Sequence, residues 1–288
     1  GAVAGASLSG SNFGLALDAS DSERRKKLAR WITNSARPLF TRVIVNRLWH
    51  YHFGSGIVET PNDLGFNGGR PSHSKLLDWL ADRLIDGGYR LKSIHRIIVT
   101  STTYRQAARF DERAHAVDAS NRLLWRKSPR RLEAEVLRDS LLSLSGQLNP
   151  TRGGPSFENV DIVPNNGTTY YTPFDREDPA LNRRTVYQFW PRGGRSALLD
   201  TFDCPDPSST APRRTITTTP LQALSLLNNA FVLRMTDHFA ERVSSEVGEQ
   251  IEAQVEHAYA LAYHRPPDAE ERQLAIELVI AHGLPSLA

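Results

Sequence analysis

The sequence predicts a mainly α fold: an irregular multi-helix bundle with a long central loop and at most a short β-hairpin. Three observations predict it. Apolar residues recur at steps of three and four through most of the chain, as a helix with one buried face requires. Capping residues, Pro and Gly punctuate those stretches where helices should start and stop. Strand-like alternation is confined to Arg183–Trp190. With 40% hydrophobic and 23% charged residues over 288 positions, the chain can build a real core and is not a disordered polymer.

Residues 1–20, mostly Gly, Ala and Ser with scattered Leu, read as a linker or the end of an upstream domain. A single helical domain is expected over 21–284. Its first helix runs from Ser22 to Thr33, with Asp21 or Ser22 as cap. Pro38 opens a helix over 39–53, with Phe40, Val43, Ile44, Leu48 and Tyr51 on one side and Arg42, Asn46, Trp49 and His50 along another. Gly54 and Gly56 stop it. Ser72 is expected to cap a third helix carrying Leu76, Leu77, Leu80, Leu84 and Ile85, which Gly87-Gly88 ends. A fourth spans Leu91 to about Arg105, and a fifth Arg130–Leu144 with Leu132, Val136, Leu137, Leu141 and Leu144 inward.

Periodicity vanishes from Gln147 to Asn182, a stretch rich in Pro, Gly and Asn that also holds Phe157, Tyr170, Tyr171 and Phe174. Such length without pattern reads as a partly ordered loop. The alternation in 183–190 reads as a strand. Thr219-Pro220-Leu221-Gln222 is a capping box with Pro at the first helical position, opening a helix through Leu224, Leu227, Phe231, Met235, Phe239 and Val243. Helices over about 249–263 and 268–282 follow, the second capped by Asp268.

The single Cys excludes an intramolecular disulfide framework and a Cys-only metal site. There is no C-x-x-C-H haem motif, no H-E-x-x-H, and no apolar run long enough to span a membrane. No metal site is expected. His50 and His52 lie two apart on a helix, about 200° from each other, so they cannot converge on one ion. The lone Met is Met235 and the sequence opens Gly-Ala-Val-Ala-Gly, which suggests a piece of a longer protein.

Of the 35 basic residues five are Lys and thirty Arg, against 32 acids, giving a net charge of +3 and a pI near 9.1. Arginine suits bidentate contact with carboxylate, sulfate or phosphate. Without a clustered basic face, this balance does not favour nucleic acid, which stays a lesser alternative. Candidate ligand-binding residues fall in two groups. Asn46 and His50 share a helix face, where they either brace the following loop or line a pocket; His73 and His95 have capping or core satisfaction as the simpler role. The segment 183–214 holds six Arg among aromatics and glycines. Its candidates are Tyr187, Trp190, Arg192, Arg195, Asp203, Arg213 and Arg214, either for an anionic ligand or as ion pairs with Asp200, Asp203 and Asp206. Cys204 sits in a Pro-locked turn beside acids that push its pKa up, so a structural role is expected.

A set of ordered motifs carries a resemblance. They are Arg30-Trp31-Ile32-Thr33, Asn46-Arg47-Leu48-Trp49-His50, Phe53-Gly54-x-Gly56-Ile57-Val58, Pro71-Ser72-His73, Leu77-Asp78-Trp79-Leu80, Lys92-Ser93-Ile94-His95-Arg96, Thr103-Tyr104-Arg105-Gln106 and Asn121-Arg122-Leu123-Leu124-Trp125-Arg126. Further on come Arg131-Leu132-Glu133-Ala134-Glu135, Gly153-Gly154-Pro155, Phe202-Asp203-x-Pro205-Asp206-Pro207 and Thr217-Thr218-Thr219-Pro220-Leu221-Gln222-Ala223-Leu224. Over roughly 24–282 the chain resembles the planctomycete-specific "PSD" domain of unknown function that accompanies planctomycete cytochrome c-type domains. The helix after Ser72 departs from the pattern, with Lys75 where an acid is usual.

The resemblance implies an extracytoplasmic, large multidomain bacterial protein. It implies no cofactor in this chain, haem belonging only to an upstream domain. The leading expectation is a non-catalytic or unassigned C-terminal module that binds a ligand or a partner, including other domains of its parent chain. The alternative is a hydrolase or binding module for acidic (sulfated or uronic) polysaccharide, with nucleic-acid binding behind it.

Overall fold

The computed structural model describes residues 15, 16, 18–34 and 37–287; most of the expected linker over 1–20 lies outside them. The chain divides between Arg130 and Arg131 into two compact units. The described residues form twelve α-helices and one two-stranded sheet, and none of these helices is long and apolar enough to cross a membrane. The mainly α expectation holds.

The first unit begins with α1 (Asp21–Thr33). Its cap is Ser20, one residue ahead of the expected Asp21 or Ser22, in a reciprocal box with Glu23. In α2 (Arg37–Phe53) the buried stripe is Thr41, Val45, Trp49 and Phe53, spaced four apart, with Asn46 beside it. This corrects the expected face. Trp49 is 7% exposed and stacks on Phe53 at 4.3 Å between ring centroids, whereas Tyr51 is 52% exposed. Hydropathy alone ranked the indole with its polar neighbours, but its area makes it a core residue.

Helices α3 (Ser74–Asp86) and α4 (Leu91–Thr100) add Leu77, Leu80, Leu84, Ile94 and Ile98 to that core, together with Ile57 and Val58 from the loop after α2. Ser72 does not cap α3: its N–H donates to the Ile57 carbonyl at 2.9 Å, and the cap position falls to His73. The expected single helix over 91–105 breaks at Ser101. Its extended backbone ends α4, and its hydroxyl accepts from the Tyr104 N–H to start α5 (Thr102–Arg105). A short α6 (Glu112–Val117), capped by Asp111, was not anticipated.

In the second unit α7 (Ala134–Leu144) buries Ala134, Arg138 and Leu142; Leu132 and Val136, expected inward, are exposed. The aperiodic stretch contains a hairpin, β1 (Val160–Asn165) antiparallel to β2 (Thr168–Pro173), with Val160 opposite Pro173. Asn166 and Gly167 join the strands at φ of 46° and 79°, the pair of positive φ values that a two-residue hairpin loop needs.

The strand expected over 183–190 is instead a 3-10 turn at Thr185–Tyr187. Side chains of α7 occupy the backbone groups that a ladder would use. Asp139 takes the Thr185 N–H at 2.7 Å, and Arg138 donates to the carbonyls of Leu181 and Arg183.

After α8 (Ala197–Thr201), the Thr219 capping box starts α9 (Pro220–Asn228) as expected. The helix then breaks at Asn229, which caps α10 (Ala230–Val247). On α9 the buried residue is Gln222, while Leu224 and Leu227 are exposed. Helix α11 (Ile251–Tyr263) ends at His264 in the left-handed conformation, and Asp268 and Glu271 form a capping box on α12 (Ala269–His282). Leu199, Phe202, Phe231 and Met235 centre one core, and Val243, Val255, Ala258 and Val279 carry the packing toward the C-terminus.

Candidate functional site

The most chemically loaded cluster lies in the first unit at the C-terminal turn of α2. His52 diverges from His50, as helical spacing demands, and its Nε2 lies 2.8 Å from His95 Nδ1 on α4. The Tyr104 ring of α5 meets the His52 ring edge-on at 5.5 Å. Lys127 arrives from the segment after α6. Its ammonium donates to the His52 carbonyl at 3.2 Å and sits 3.5 Å from the Tyr104 ring centroid, with the Phe53 ring at 4.9 Å. Arg130 donates to the Tyr51 carbonyl.

Three chain segments thus bring two imidazoles, an ammonium and a guanidinium together. Burial holds the His52 pKa below the usual imidazole range, and the positive charges of His95, Lys127 and Arg130 push it the same way. Lys127 is lowered by burial and then by Arg130. The imidazole pair shares one N–H, so one ring donates and the other accepts. A second proton would make the pair cationic amid other cations. Such a group can hold an anion, or accept and release a proton at the His52–His95 contact.

The sequence candidates scatter. Asn46, wholly buried, clamps Val58: its amide donates to the Val58 carbonyl at 3.0 Å and accepts the Val58 N–H at 2.8 Å. It braces the loop after α2. His50 meets Tyr51 edge-on at 5.8 Å. His73 Nδ1 is 2.9 Å from the Ser72 hydroxyl. Of the four candidates in this unit, only His95 joins the cluster. His52, Tyr104, Lys127 and Arg130 were missed, because their approach depends on tertiary packing. One faint signal existed: Lys127 is one of only five lysines.

The arginines of the second unit are largely engaged. Arg214 grips Glu135 in a bidentate pair at 2.6 and 2.8 Å and reaches Glu133 at 3.4 Å. Arg195 pairs with Asp200 at 2.7 Å and Asp206 at 3.6 Å. Asp203, at φ +63°, is held by the Thr217 N–H and hydroxyl rather than by an arginine. The Tyr187 hydroxyl accepts from the Gly153 N–H at 3.0 Å, Trp190 packs on the core cluster that includes Leu199 and Phe202, and Arg192 and Arg213 are exposed.

Cys204 is buried, and its thiol lies 3.7 Å from Glu135 Oε1. Burial first and the Glu135 charge second push its pKa up to about 12. It is no nucleophile at neutral pH. Among the described residues no group of three or more His, Cys, Asp or Glu is placed to hold a metal ion.

The family model for a protein of unknown function, DUF1553 (PSD1), matches residues 24–279. The chain belongs to that family. No curated protein and no solved structure matches the chain.

Proposed function

We propose that the chain is a ligand-binding module that holds an anionic group (carboxylate, sulfate or phosphate) at the His52–His95–Lys127 cluster. The observation that carries the reading is the convergence of these groups: the charges acting on His52 and Lys127 are all positive. An anion would relieve that repulsion and favour the charged form of both groups. Acidic saccharides and other carboxylated or sulfated ligands have the fitting chemistry. The wider context belongs to the same proposal: a module of a larger exported planctomycete protein, with cytochrome c-type domains in its parent chain. The ordered motifs of the sequence support it.

The test is calorimetric titration of the chain with sodium sulfate at low ionic strength, where screening is weakest. Saturable binding weakened about tenfold or more in Lys127→Met is expected, one charge-assisted contact being worth that much. No saturable heat in the native chain would refute the reading. A second use of the same site is proton transfer, which the 2.8 Å imidazole contact favours. It predicts ester hydrolysis by the native chain that His95→Gln abolishes, with sulfate binding weakened in the same variant.

A further inference from the structure

Arg126, in the first unit, carries a charge that the fold leaves unused. It stands on a turn over 118–128 that its own side chains build. The Asp118 carboxylate accepts the N–H groups of Arg122 at 3.0 Å and Leu123 at 2.7 Å. Asn121 and Leu124 take φ of 55° and 58°, and the Asn121 amide donates to the Arg126 carbonyl at 2.9 Å and the Ser128 hydroxyl at 2.7 Å. The Trp125 indole donates to the Asp118 carbonyl at 2.9 Å, and the Lys127 N–H ties the end of the turn to the Ala107 carbonyl at 3.1 Å. The base under Arg126 is therefore fixed.

The guanidinium lies over two rings, 4.9 Å from the Trp125 centroid and 5.4 Å from that of Phe110, and the rings meet edge-on at 6.1 Å. These contacts hold the fork without using its hydrogens. Among the described residues it has no acceptor and no carboxylate at ion-pair distance, whereas Arg122 in the same turn pairs with Glu59 at 2.8 Å. Nε is buried; Nη1 and Nη2 are not, so the outer edge of the fork is the part a ligand can reach. Two free parallel N–H donors on a pre-positioned guanidinium suit end-on bidentate contact with a planar carboxylate. The neighbouring ring indicates what that carboxylate should carry. Phe110 is 50% exposed, with His115 tilted against it at 5.1 Å. At 5.4 Å from the guanidinium carbon, its face is within reach of a ring attached to a carboxylate on Nη1 and Nη2. A cation would be repelled there, and a bare inorganic anion would leave the Phe110 face unused.

We propose that Arg126 and Phe110 form a second binding site, for a carboxylic acid borne on a ring, with the carboxylate against the Arg126 fork and the ring against Phe110. It goes beyond the anion cluster at His52, shares no residue with it and stands or falls separately.

The test follows the Trp125 indole N–H and Arg126 Nε–H resonances of the ¹⁵N-labelled full chain. The probes are the sodium salts of benzoic, glucuronic and acetic acids, matched for ionic strength with chloride. Saturable shifts are expected with benzoate or glucuronate at concentrations about tenfold below those acetate needs, since a ring adds contact with Phe110. Whichever of the two saturates first identifies the ring as aromatic or saccharide, and either supports the proposal. Arg126→Gln should weaken the response about tenfold or more. Arg126→Lys serves should that variant not fold; it keeps the charge, loses the fork and should weaken the response as well. Phe110→Ala should leave acetate binding in place and remove the advantage of the ring acids. Three results would overturn the proposal. One is the absence of a saturable response to either ring acid in the native chain, which would leave Arg126 a solvated surface cation. Another is a response to acetate as strong as to the ring acids. The third is a response undiminished in folded Arg126→Gln.

Discussion

Arg138 shows what single residues do in this fold. Its guanidinium is buried on α7, where it donates to the Leu181 carbonyl at 2.7 Å, the Arg183 carbonyl at 3.0 Å and the Thr185 hydroxyl at 3.2 Å. Phe157 and Phe231 lie on its faces at 5.4 Å. Burial lowers its pKa to about 10, against the opposing pull of Asp139, so it stays charged at neutral pH. An ammonium cannot span those three acceptors. Arg138→Lys is therefore expected to cost about 2–4 kcal/mol in urea unfolding, because the lysine leaves two part-buried carbonyls without a charged partner and fills the buried site less well. Cys204 gives a second prediction at this scale. With its thiol held near 12, the native chain should resist iodoacetamide at about pH 8 and react once unfolded, as a free thiol does.

At the scale of elements, caps and their extensions decide where helices begin. The Thr219 hydroxyl accepts the Gln222 N–H, and the Gln222 side chain returns to the Thr219 N–H. Gln222 does more than close the box. It is 1% exposed, accepts from Arg131 at 2.7 Å and donates to the Thr217 hydroxyl at 3.1 Å. Thr219→Ala should cost about 1 kcal/mol, and Gln222→Leu about 2 kcal/mol, since it strands several part-buried partners. Denaturant melts of both variants check the ranking.

The loop after α2 is set in the same way. A Cβ on Gly56 would lie 2.4 Å from the Val58 carbonyl oxygen and 2.8 Å from the Asn46 amide. Gly56→Ala should thus disturb the Asn46–Val58 clamp, and its cost should be less than additive with that of Asn46→Ala in a double-mutant cycle.

Legibility followed this hierarchy of local and distant causes. The capping boxes at Thr219 and Asp268 could be read because donor and acceptor lie three residues apart. The Asn166-Gly167 turn was equally local, but it was hidden by the absence of alternation around it: its strands are mostly exposed on both faces. The breaks at Ser101 and Asn229 were missed because the apolar period runs through them, while a serine and an asparagine cap the next helix. The His52 cluster could not be read at all. It joins residues 43 and 75 positions apart through a core whose inward face on α2 was misassigned.

Across the whole molecule the arginine content has a structural meaning. Long irregular segments leave backbone carbonyls outside helices and sheets, and those carbonyls need donors. Arginine, with five donors in a planar fork, supplies them. Arg183 serves Pro155 and Gly153, Arg131 serves Thr217, and Arg242 serves Ser143 and Leu144. Thirty arginines against five lysines thus help to hold a fold with much irregular chain; within 183–214, Arg183 makes such contacts, while Arg184, Arg195 and Arg214 are held in ion pairs with carboxylates.

The His52 cluster then sets a pH dependence. Its folded pKa lies below the unfolded value, so the unfolded chain takes up the proton first. This contribution to stability is full above about pH 6.5 and is lost as pH falls toward the folded pKa. Chemical melts of the native chain and of His52→Gln across that window should show the loss in the native chain only.

The most direct measurement of the central claim is the His52 pKa, read from its imidazole ¹H resonance in the full chain with and without sodium sulfate. Sulfate carries no proton of its own in this range, so any change belongs to the protein. An anion seated at the cluster predicts a depressed pKa in the free chain that rises by about one unit or more on saturation, the shift a neighbouring opposite charge produces. A His52 pKa that sulfate leaves unmoved, at a sulfate concentration matched for ionic strength with chloride, would contradict it.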